Sequence, residues 1–240
     1  MSPGRPDDAD TFVSLVAHEL KTPLTPLKAV AQLIRSRIRK AREGARELDV
    51  DALERSVVML ERQVDRMDRL VTGLLEVSRL SRGTFELHVA PLDLAASVRD
   101  AARRWGETLA EDGRHVVEID APAAVLVSAD RERVDLVVDG LIGNAVKFSP
   151  RGGAVRVTLE AREGAAVLTV RDDGIGIPAD EVGSLGRGPF VRGARASGYA
   201  GVGAGLYLAR RVAEAHGGGL ELESDGSDRG TTARLRLPLA

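Results

Sequence analysis

The 240-residue sequence contains no cysteine. This absence excludes disulfide bonds, thiolate catalysis, and zinc or iron–sulfur centres held by cysteine. No apolar run approaches the roughly 20 residues needed to span a bilayer, and the polar start Met1–Asp10 lacks the apolar core of a signal peptide. We therefore expect a cytoplasmic chain with no membrane contact of its own.

An excess of charge of either sign is also missing, because 34 Lys and Arg residues face 36 Asp and Glu residues, for a net charge of −2. Nucleic-acid and anionic-membrane surfaces are marked by a strong basic excess, so we expect neither partner. A hydrophobic fraction of 43% with 29% charged residues is ordinary for a globular protein. The length allows two modest domains or one large domain.

Two apolar stripes with spacings of three and four residues predict two long helices at the start of the chain. The first stripe is Val13, Val16, Leu20, Leu27, Val30 and Ile34, with Pro23 in one slot, and the second is Leu53, Val57, Leu60, Val64, Met67, Val71 and Leu74. The segment Ala41–Val50 between them indicates the turn of an antiparallel helical hairpin. Each stripe is narrow, so we expect two hairpins to combine into a dimeric four-helix bundle. The alternative is a hairpin folded back on its own chain.

After Leu80 the pattern changes, because Ser81-Arg82-Gly83 breaks the helix and short β-like runs begin. We place the boundary near residue 84, giving domains 1–84 and 85–240. Strands are predicted at Phe85–Val89, His115–Ile119, Ala124–Ser128, Ala154–Glu160, Ala165–Arg171, Leu220–Ser224 and Thr231–Leu237. Helices are predicted at Leu94–Glu111, Arg131–Phe148 and Val202–His216. This order indicates an α+β chain whose second part is an α/β sandwich, and the long segment Ala179–Ala200 is expected to be a lid or a binding element.

His18 follows the core position Val16 by two residues, which turns its side chain about 200° away from the core. We therefore expect the imidazole to face solvent. Thr22, four residues on, shares that face, and Glu19 is the immediate neighbour. The following prolines, Pro23 and Pro26, each remove a helical amide, so we also expect a bend beside the histidine.

The segment His18-Glu19-Leu20-Lys21-Thr22-Pro23-Leu24 resembles the H-box of the HisKA class of sensor histidine kinases. The resemblance implies that His18 accepts a phosphoryl group, that Glu19 orients or deprotonates the imidazole, and that Thr22 positions water during dephosphorylation. A neutral imidazole is a competent nucleophile near pH 7. The plainer alternative is an exposed helix histidine without a function. His88, His115 and His216 lack this setting and are interpreted as structural residues.

Three further segments have chemistry suited to a nucleotide. Asp172 opens a glycine-rich turn after a strand, and its carboxylate accepts hydrogen bonds only, which suits the exocyclic amino group of adenine. Asn144 and Lys147 lie three residues apart on one helix, offering an oxygen for Mg²⁺ and a cation for phosphate. The run Gly201–Leu206 opens a helix whose amides favour phosphate, although it fits neither a Walker A loop nor a dinucleotide fingerprint.

In chain order, these segments resemble the N, G1, F, G2 and G3 boxes of the HATPase domain found in histidine kinases, gyrases, Hsp90 and MutL. The boxes are Asn144–Phe148, Asp172–Pro178, Pro189–Arg192, Gly201–Leu206 and Gly230–Thr232. Within that group only the histidine kinases also carry the H-box helix. The resemblance extends from Thr11 to Pro238 and includes Arg66–Val71 and Leu80-Ser81 on the second helix. It implies a nucleotide domain of the Bergerat or GHKL type.

The same resemblance implies a homodimeric protein-histidine kinase that uses ATP and Mg²⁺ to phosphorylate His18. The group would then pass to an aspartate of a response regulator receiver domain. Asn144 would be the metal ligand. The implied nucleotide contacts are Asn144, Lys147, Asp172, Gly174, Gly176, Arg192, Gly201, Gly203, Gly205, Leu206 and Thr231.

Departures from the family pattern keep other functions open. Gly140 stands where the N-box usually has an additional Asn, and Asp173 replaces a frequent Asn. Val202 and Ala204 replace the usual residues of the G2 box, and the F-box is reduced to Phe190. An ATP-binding scaffold or a phosphatase-biased module is therefore an alternative. An ATPase clamp of the gyrase kind would need a carboxylate at Gly140, and the adjacent Asp139 is one helical step off that face.

Overall fold

The computed structural model describes residues 6–44, 49–82, 85–110, 113–196, 198–199 and 201–240, and at 6–16, 18, 19, 66, 69 and 81 only the backbone. It has two compact units, Met1–Leu75 and Glu76–Ala240. The first is helical and the second combines helices with a sheet, which confirms the predicted fold class. The division falls inside the second helix, ahead of the domain boundary near residue 84, which stays a prediction. Among the described residues, no helix has the length and apolar character to cross a bilayer.

Helix α1 runs from Pro6 to Arg42, and helix α2 runs from Val50 to Arg82. α1 continues through both prolines, and Pro23 is buried, as its place in the apolar stripe predicts. Gly44, just after α1, has a φ of 68°, a left-handed conformation that ends a helix. The predicted turn therefore lies where expected, apart from residues 45–48, which are outside the described chain.

Side-chain hydrogen bonds tie the end of α1 to the start of α2. The Asp49 carboxylate accepts from the Ala52 amide at 2.8 Å and so caps α2. Arg37 Nη1 donates to the Ala52 carbonyl at 2.6 Å and to Ser56 Oγ at 3.2 Å. These bonds satisfy polar groups at the closed end of the hairpin.

The second apolar stripe divides into two sets of side chains. Leu53, Leu60, Met67 and Leu74 are half-buried. Val57, Val64 and Val71 are 45%, 55% and 41% exposed and recur every seven residues. We call these three residues the valine strip. Seven-residue spacing places them on one side of α2, so the single chain leaves an apolar seam uncovered.

The second unit is built around a five-stranded sheet with the strand order β2-β4-β5-β7-β6. Strand β2 pairs with β4 in parallel, and the other neighbours are antiparallel. Strands β1 and β3 form a separate two-stranded antiparallel sheet. The strands are β1 (Ala90–Asp93), β2 (His115–Asp120), β3 (Leu126–Ala129), β4 (Gly153–Arg162), β5 (Ala165–Asp172), β6 (Gly219–Glu223) and β7 (Thr231–Pro238).

Three helices pack with the sheet to form one hydrophobic core: α3 (Leu94–Leu109), α4 (Arg131–Lys147) and α6 (Gly205–Ala215). Asp93 and Asp130 cap α3 and α4 by accepting hydrogen bonds from the amides of Ala95 and Arg133. The core includes Val98, Val138, Ile142, Leu168, Val212 and Leu235. This arrangement confirms the predicted α/β sandwich.

The prediction of a strand at Phe85–Val89 is wrong, because this segment has no strand partner. Side chains hold the segment instead: the His88 backbone amide donates to the Asp130 carboxylate at 3.0 Å, and the Arg133 guanidinium stacks 3.7 Å from the centre of the Phe85 ring. The alternation of apolar and polar residues is present here, but alternation alone does not supply a neighbouring strand.

The last predicted helix begins later than expected, at Gly205 rather than Val202. Gly201 and Gly203 have φ values of 132° and 75°, which no α-helix accommodates. The segment expected to be a lid contains the short helix α5 (Ala179–Val182) and a 3₁₀ turn at Ala194–Ala196.

Candidate nucleotide-binding site

The last turn of α4 faces the glycine run that precedes α6. A carbon atom added to Gly205 would lie 3.6 Å from Asn144 Nδ2, and one added to Gly201 would lie 3.4 Å from Lys147 Nζ. Lys147 Nζ also lies 4.1 Å from the centre of the Phe148 ring. The structure therefore brings together two segments that the sequence separates by about 60 residues.

The first turn of α6 has amides available for an anion. Ala204 occupies the N-cap position, and no side chain caps the helix there. Uncapped amides and the helix dipole favour phosphate at this point. Leu206 is half-buried and packs against the core, so it anchors the turn rather than pointing at a ligand.

Asp172 ends β5 with its side chain almost out of contact with solvent, at 6% exposure. Its Oδ1 atom accepts a hydrogen bond from the Gly174 amide at 2.8 Å. Burial raises the pKa of the Asp172 carboxyl to about 6, against the opposing effect of hydrogen bonds from the amides of Gly174 and Thr231. A buried carboxylate with capacity to accept further hydrogen bonds suits a ligand amino group.

The Asp172–Pro178 turn fits tightly against two other loops. The Ile175 amide donates to the Phe148 carbonyl at 2.9 Å, and the Gly230 amide donates to the Gly174 carbonyl at 3.2 Å. A carbon added to Gly174 would lie 2.2 Å from the Phe148 carbonyl oxygen, and one added to Gly176 would lie 2.1 Å from that of Gly226. Glycine is required at both positions because the neighbouring backbones approach so closely.

Thr231, the last predicted contact, opens β7 directly opposite Asp172 in the strand register. A carbon added to the preceding Gly230 would lie 2.0 Å from the Asp172 carbonyl oxygen. The G3 segment therefore supports the backbone of Asp172.

Arg192 bonds to its own loop in this structure. Its Nη2 atom donates to the carbonyls of Ala196 and Tyr199, the second at 2.5 Å. The Tyr199 ring in turn lies 5.2 Å from the Phe148 ring, at the end of α4. A contact between Arg192 and phosphate stays a prediction, and it would require this guanidinium to leave those carbonyls.

Gly140, which stands where the N-box usually has an additional Asn, leaves open space beside α4. No heavy atom would lie within 4 Å of a carbon added there. The adjacent Asp139 is already engaged, because Trp105 Nε1 donates to its Oδ1 atom at 3.1 Å and Arg104 lies 3.7 Å away. Asp139 is therefore held away from the role that an ATPase clamp would need.

The donor atoms present suit Mg²⁺ carried by a nucleotide. Across the described part of the chain, no group of three or more His, Asp or Glu side chains could hold a metal ion. Mg²⁺ bound with a nucleotide takes most of its ligands from phosphates and water and needs only one or two protein oxygens. The half-buried Asn144 side chain, on the last turn of α4, carries one amide oxygen that could meet this requirement.

His18, Glu19 and Thr22 all lie within α1. The Thr22 side chain is exposed. The side chains of His18 and Glu19 are outside the described atoms, so the expected outward direction of the imidazole stays a prediction.

Sequence reasoning missed Arg195 and Asp228. Arg195 Nη1 donates to the Ile175 carbonyl at 2.6 Å, and its Nη2 lies 3.1 Å from the Asp228 carboxylate. The only sequence signals are a third arginine in the expected lid, after Arg187 and Arg192, and an acidic residue in a glycine-rich loop. Because 33 residues separate the two, no local pattern pairs them.

Two family models match the chain. Residues 8–83 match the His Kinase A (phospho-acceptor) domain. Residues 129–240 match the histidine kinase-, DNA gyrase B- and HSP90-like ATPase. His18 lies in the first match, and every proposed nucleotide contact lies in the second.

Curated relatives match both parts together. The chain is 32% identical over 240 residues to the signal transduction histidine-protein kinase AfsQ2 of Streptomyces coelicolor, covering 98% of this chain and 43% of AfsQ2. It is 31% identical over 233 residues to the sensor histidine kinase WalK of Bacillus subtilis, covering 95% of this chain and 36% of WalK. The chain thus spans about two fifths of the length of these relatives.

Solved structures agree on the fold. The histidine kinase AdeS of Acinetobacter baumannii is 23% identical, with a TM-score of 0.60 over 92% of this chain and 98% of the AdeS chain. Full-length ShkA, solved in complex with AMPPNP, is 25% identical, with a TM-score of 0.61 over 96% of this chain and 46% of the ShkA chain.

Proposed function

We propose that this chain, which belongs to the two-component sensor histidine kinases, phosphorylates its own His18 with ATP and then passes the phosphoryl group to a response regulator aspartate. One observation carries the proposal. Asn144, Lys147 and Asp172 are arranged around tight glycine turns in a chain that also carries an H-box helix. Both parts of a phosphotransfer reaction are therefore present in one polypeptide.

The matched ATPase domain binds ATP, and we assign the recognition of adenine to Asp172. Its buried carboxylate accepts hydrogen bonds, which fits the adenine amino group and disfavours the carbonyl oxygen of guanine. Gly174 and Gly176 keep the turn close enough to its neighbours to leave the carboxylate in place. Their role is to shape the pocket around the base.

We assign the phosphates to α4 and to the first turn of α6. Lys147 supplies a positive charge, and the amides near Gly201, Gly203 and Gly205 supply hydrogen-bond donors. Asn144 would hold Mg²⁺ together with the phosphates, and the ion would neutralise the charge that develops during phosphoryl transfer. The similar chain ShkA was solved in complex with AMPPNP, which supports nucleotide binding by a chain of this fold.

His18 is the proposed nucleophile. A ring nitrogen of the neutral imidazole attacks the γ-phosphorus, a nitrogen–phosphorus bond forms, and the bond to the bridging oxygen breaks so that ADP leaves with its electron pair. The Glu19 carboxylate beside it is suited to hold the other ring nitrogen as N–H. Thr22 would position water when the same site removes phosphate from the regulator.

A second copy of the chain is the proposed partner of the helical unit. The valine strip is exposed in one chain, and burying it against a second hairpin would complete a four-helix bundle. We propose that the dimer works in the cytoplasm with a response regulator receiver domain as its phosphoryl acceptor.

The direct test is incubation with ATP labelled on its γ-phosphate. The protein should gain a label that is stable in alkali and lost in acid, as a phosphohistidine is. His18→Gln should abolish the label, whereas the matched control His88→Gln, at an exposed histidine outside the proposed site, should keep it. An acid-stable label, or one that survives His18→Gln, would refute the assignment.

A phosphatase-biased module with weak kinase activity is the second candidate, and the open position at Gly140 favours it. In that case nucleotide would bind without label reaching His18. A phosphorylated receiver domain would also lose its phosphate faster in the presence of this protein than alone. Rapid labelling of His18 would rule this candidate out.

A further inference from the structure

The backbone carbonyl of Ile175 is shared by two donors from different loops. The Asp228 amide donates to it at 2.7 Å, and Arg195 Nη1 donates to it at 2.6 Å. The Arg195 guanidinium also pairs with the Asp228 carboxylate at 3.1 Å. Three segments therefore meet at one oxygen: the Asp172 turn, the loop before β7 and the 3₁₀ turn of the lid segment.

Asp228 has a left-handed backbone conformation that favours these contacts. Its φ of 59° lies in the left-handed region, where Asp and Asn are tolerated better than most residues. The conformation lets one residue present both its amide to Ile175 and its carboxylate to Arg195. Arg151 is 3.8 Å from the same carboxylate and 73% exposed, so Arg195 is the closer partner.

Arg195 also belongs to the segment that places Arg192 and Tyr199. Arg192 donates to the carbonyls of Ala196 and Tyr199, on the residues that follow Arg195. On its other side the Ala194 amide donates to Glu181 Oε2 at 3.0 Å. The second half of the lid segment is thus held by α5, in the first half of the lid, and by the Asp172 turn outside it.

We propose that Arg195 is a positioning residue that fastens the lid to the Asp172 turn and so slows the departure of bound nucleotide. This inference rests on the proposed function, because it assumes that the nucleotide lies between that turn and the lid. Arg195 has no assigned contact with the nucleotide and acts by holding the backbone of the lid in place. Breaking the fastening would free the lid without removing the adenine reader or the phosphate contacts.

The test measures how fast ADP carrying a fluorescent label on its ribose leaves the full chain. Arg195→Ala should raise the dissociation rate about fivefold, the scale expected for a partly exposed charged contact. Arg195→Lys should recover part of the loss, because a single ammonium can pair with Asp228 but lacks the second donor arm that reaches Ile175. Labelling of His18 at saturating ATP should be retained in both variants.

Asp228→Asn gives an independent route, since asparagine tolerates the same backbone conformation. Alone, it should raise the rate of ADP dissociation about twofold. It should add little in the Arg195→Ala background, because both changes break the same contact between Arg195 and Asp228. The matched control is Arg187→Ala, whose side chain donates to the nearby Gly183 carbonyl, and it should leave the rate unchanged.

The outcomes separate this inference from the proposed function. If the wild-type protein binds ADP and labels His18 while Arg195→Ala releases ADP at the wild-type rate, only the lid role is wrong. Additive effects of Arg195→Ala and Asp228→Asn would also overturn it. If the wild-type protein binds no nucleotide, the proposed function and the lid role both fail.

Discussion

The helical unit and the ATP-binding unit bury their apolar side chains to very different extents. Among the described residues, the largest fully buried side chains, such as Leu94, Ile142 and Leu168, all lie in the second unit. Of the 15 large apolar side chains that are exposed in the described part of the chain, 10 lie in the helical unit, which is less than a third of the chain. The ATP-binding unit therefore buries a core of its own, whereas the helical unit leaves apolar side chains exposed, which we propose a second copy of the chain covers.

The largest expected effect is a loss of association between helical units. Val64→Asp puts a charge in the middle of the valine strip, and burying it in a dimer seam costs about 3 kcal/mol or more, so dimerisation should weaken at least about 100-fold. Sedimentation over a range of concentrations measures this change. The affinity for nucleotide should stay at the wild-type value.

Arg55→Ala is the matched control, because it changes an exposed charged position two residues before Val57 and so about 200° around the same helix from the strip. It should leave the dimer intact. A Val64→Asp protein that associates as tightly as the wild type would contradict the comparison between the two units.

Asp172→Asn should change the stability and nucleotide binding of the ATP-binding unit alone. Neither change should depend on protein concentration. Folding raises the pKa of this carboxyl from 3.8 to about 6, so its stabilising contribution is full below pH 3.8 and is lost as the pH rises through about 6. Removing the charge should therefore raise the free energy of unfolding above about pH 7 by up to about 3 kcal/mol. Nucleotide binding should be lost at the same time.

Denaturation in urea at two pH values measures the stability change. Asp173→Asn is the control, because that neighbouring carboxylate is 49% exposed and pairs with Arg156. A destabilised Asp172→Asn protein above pH 7 would show that the carboxylate supports the fold instead of straining it. In the wild-type protein, nucleotide affinity should fall below about pH 6 as Asp172 takes up a proton.

Gly140→Asn should give the smallest change of stability, and it tests whether this position on α4 limits the reaction. Asparagine has a better helix propensity than glycine, and the position is open, so stability should rise by a few tenths of a kcal/mol. The added amide lies on the same face as Asn144 and should raise the rate of His18 labelling. Gly143→Asn is the opposite control, since its side chain would meet the Trp105 ring at 2.9 Å. An unchanged labelling rate in Gly140→Asn would show that this position does not limit the reaction.

Much of this architecture follows from sequence pattern, since periodicity reports which face of a helix or strand is apolar. The hairpin and the order of the elements are predicted this way, whereas the segments around Asn144 and Asp172 are predicted from side-chain chemistry and from the resemblance to the HATPase boxes. Periodicity does not report what covers each face. For that reason the pattern predicts a strand at Phe85–Val89, which has no strand partner, and it does not separate the exposed valine strip from the half-buried residues of the same stripe.

The other features that the sequence does not predict depend on backbone conformation or on long-range contacts. The start of α6 depends on the positive φ values of Gly201 and Gly203, which composition suggests but does not fix. The Arg195–Asp228 pair depends on how three loops meet at the Ile175 carbonyl. Contacts of this kind are set by tertiary structure, so local patterns do not reveal them.

The chain has a single tryptophan, and its place on the scaffold has a practical consequence. Trp105 packs beside Gly143 and donates to Asp139, both on the helix that carries Asn144. Its emission spectrum therefore reports on one unit, while circular dichroism records the helices of both. Comparing the two optical signals during heating would show, without any engineered label, whether the helical unit unfolds before the ATP-binding unit.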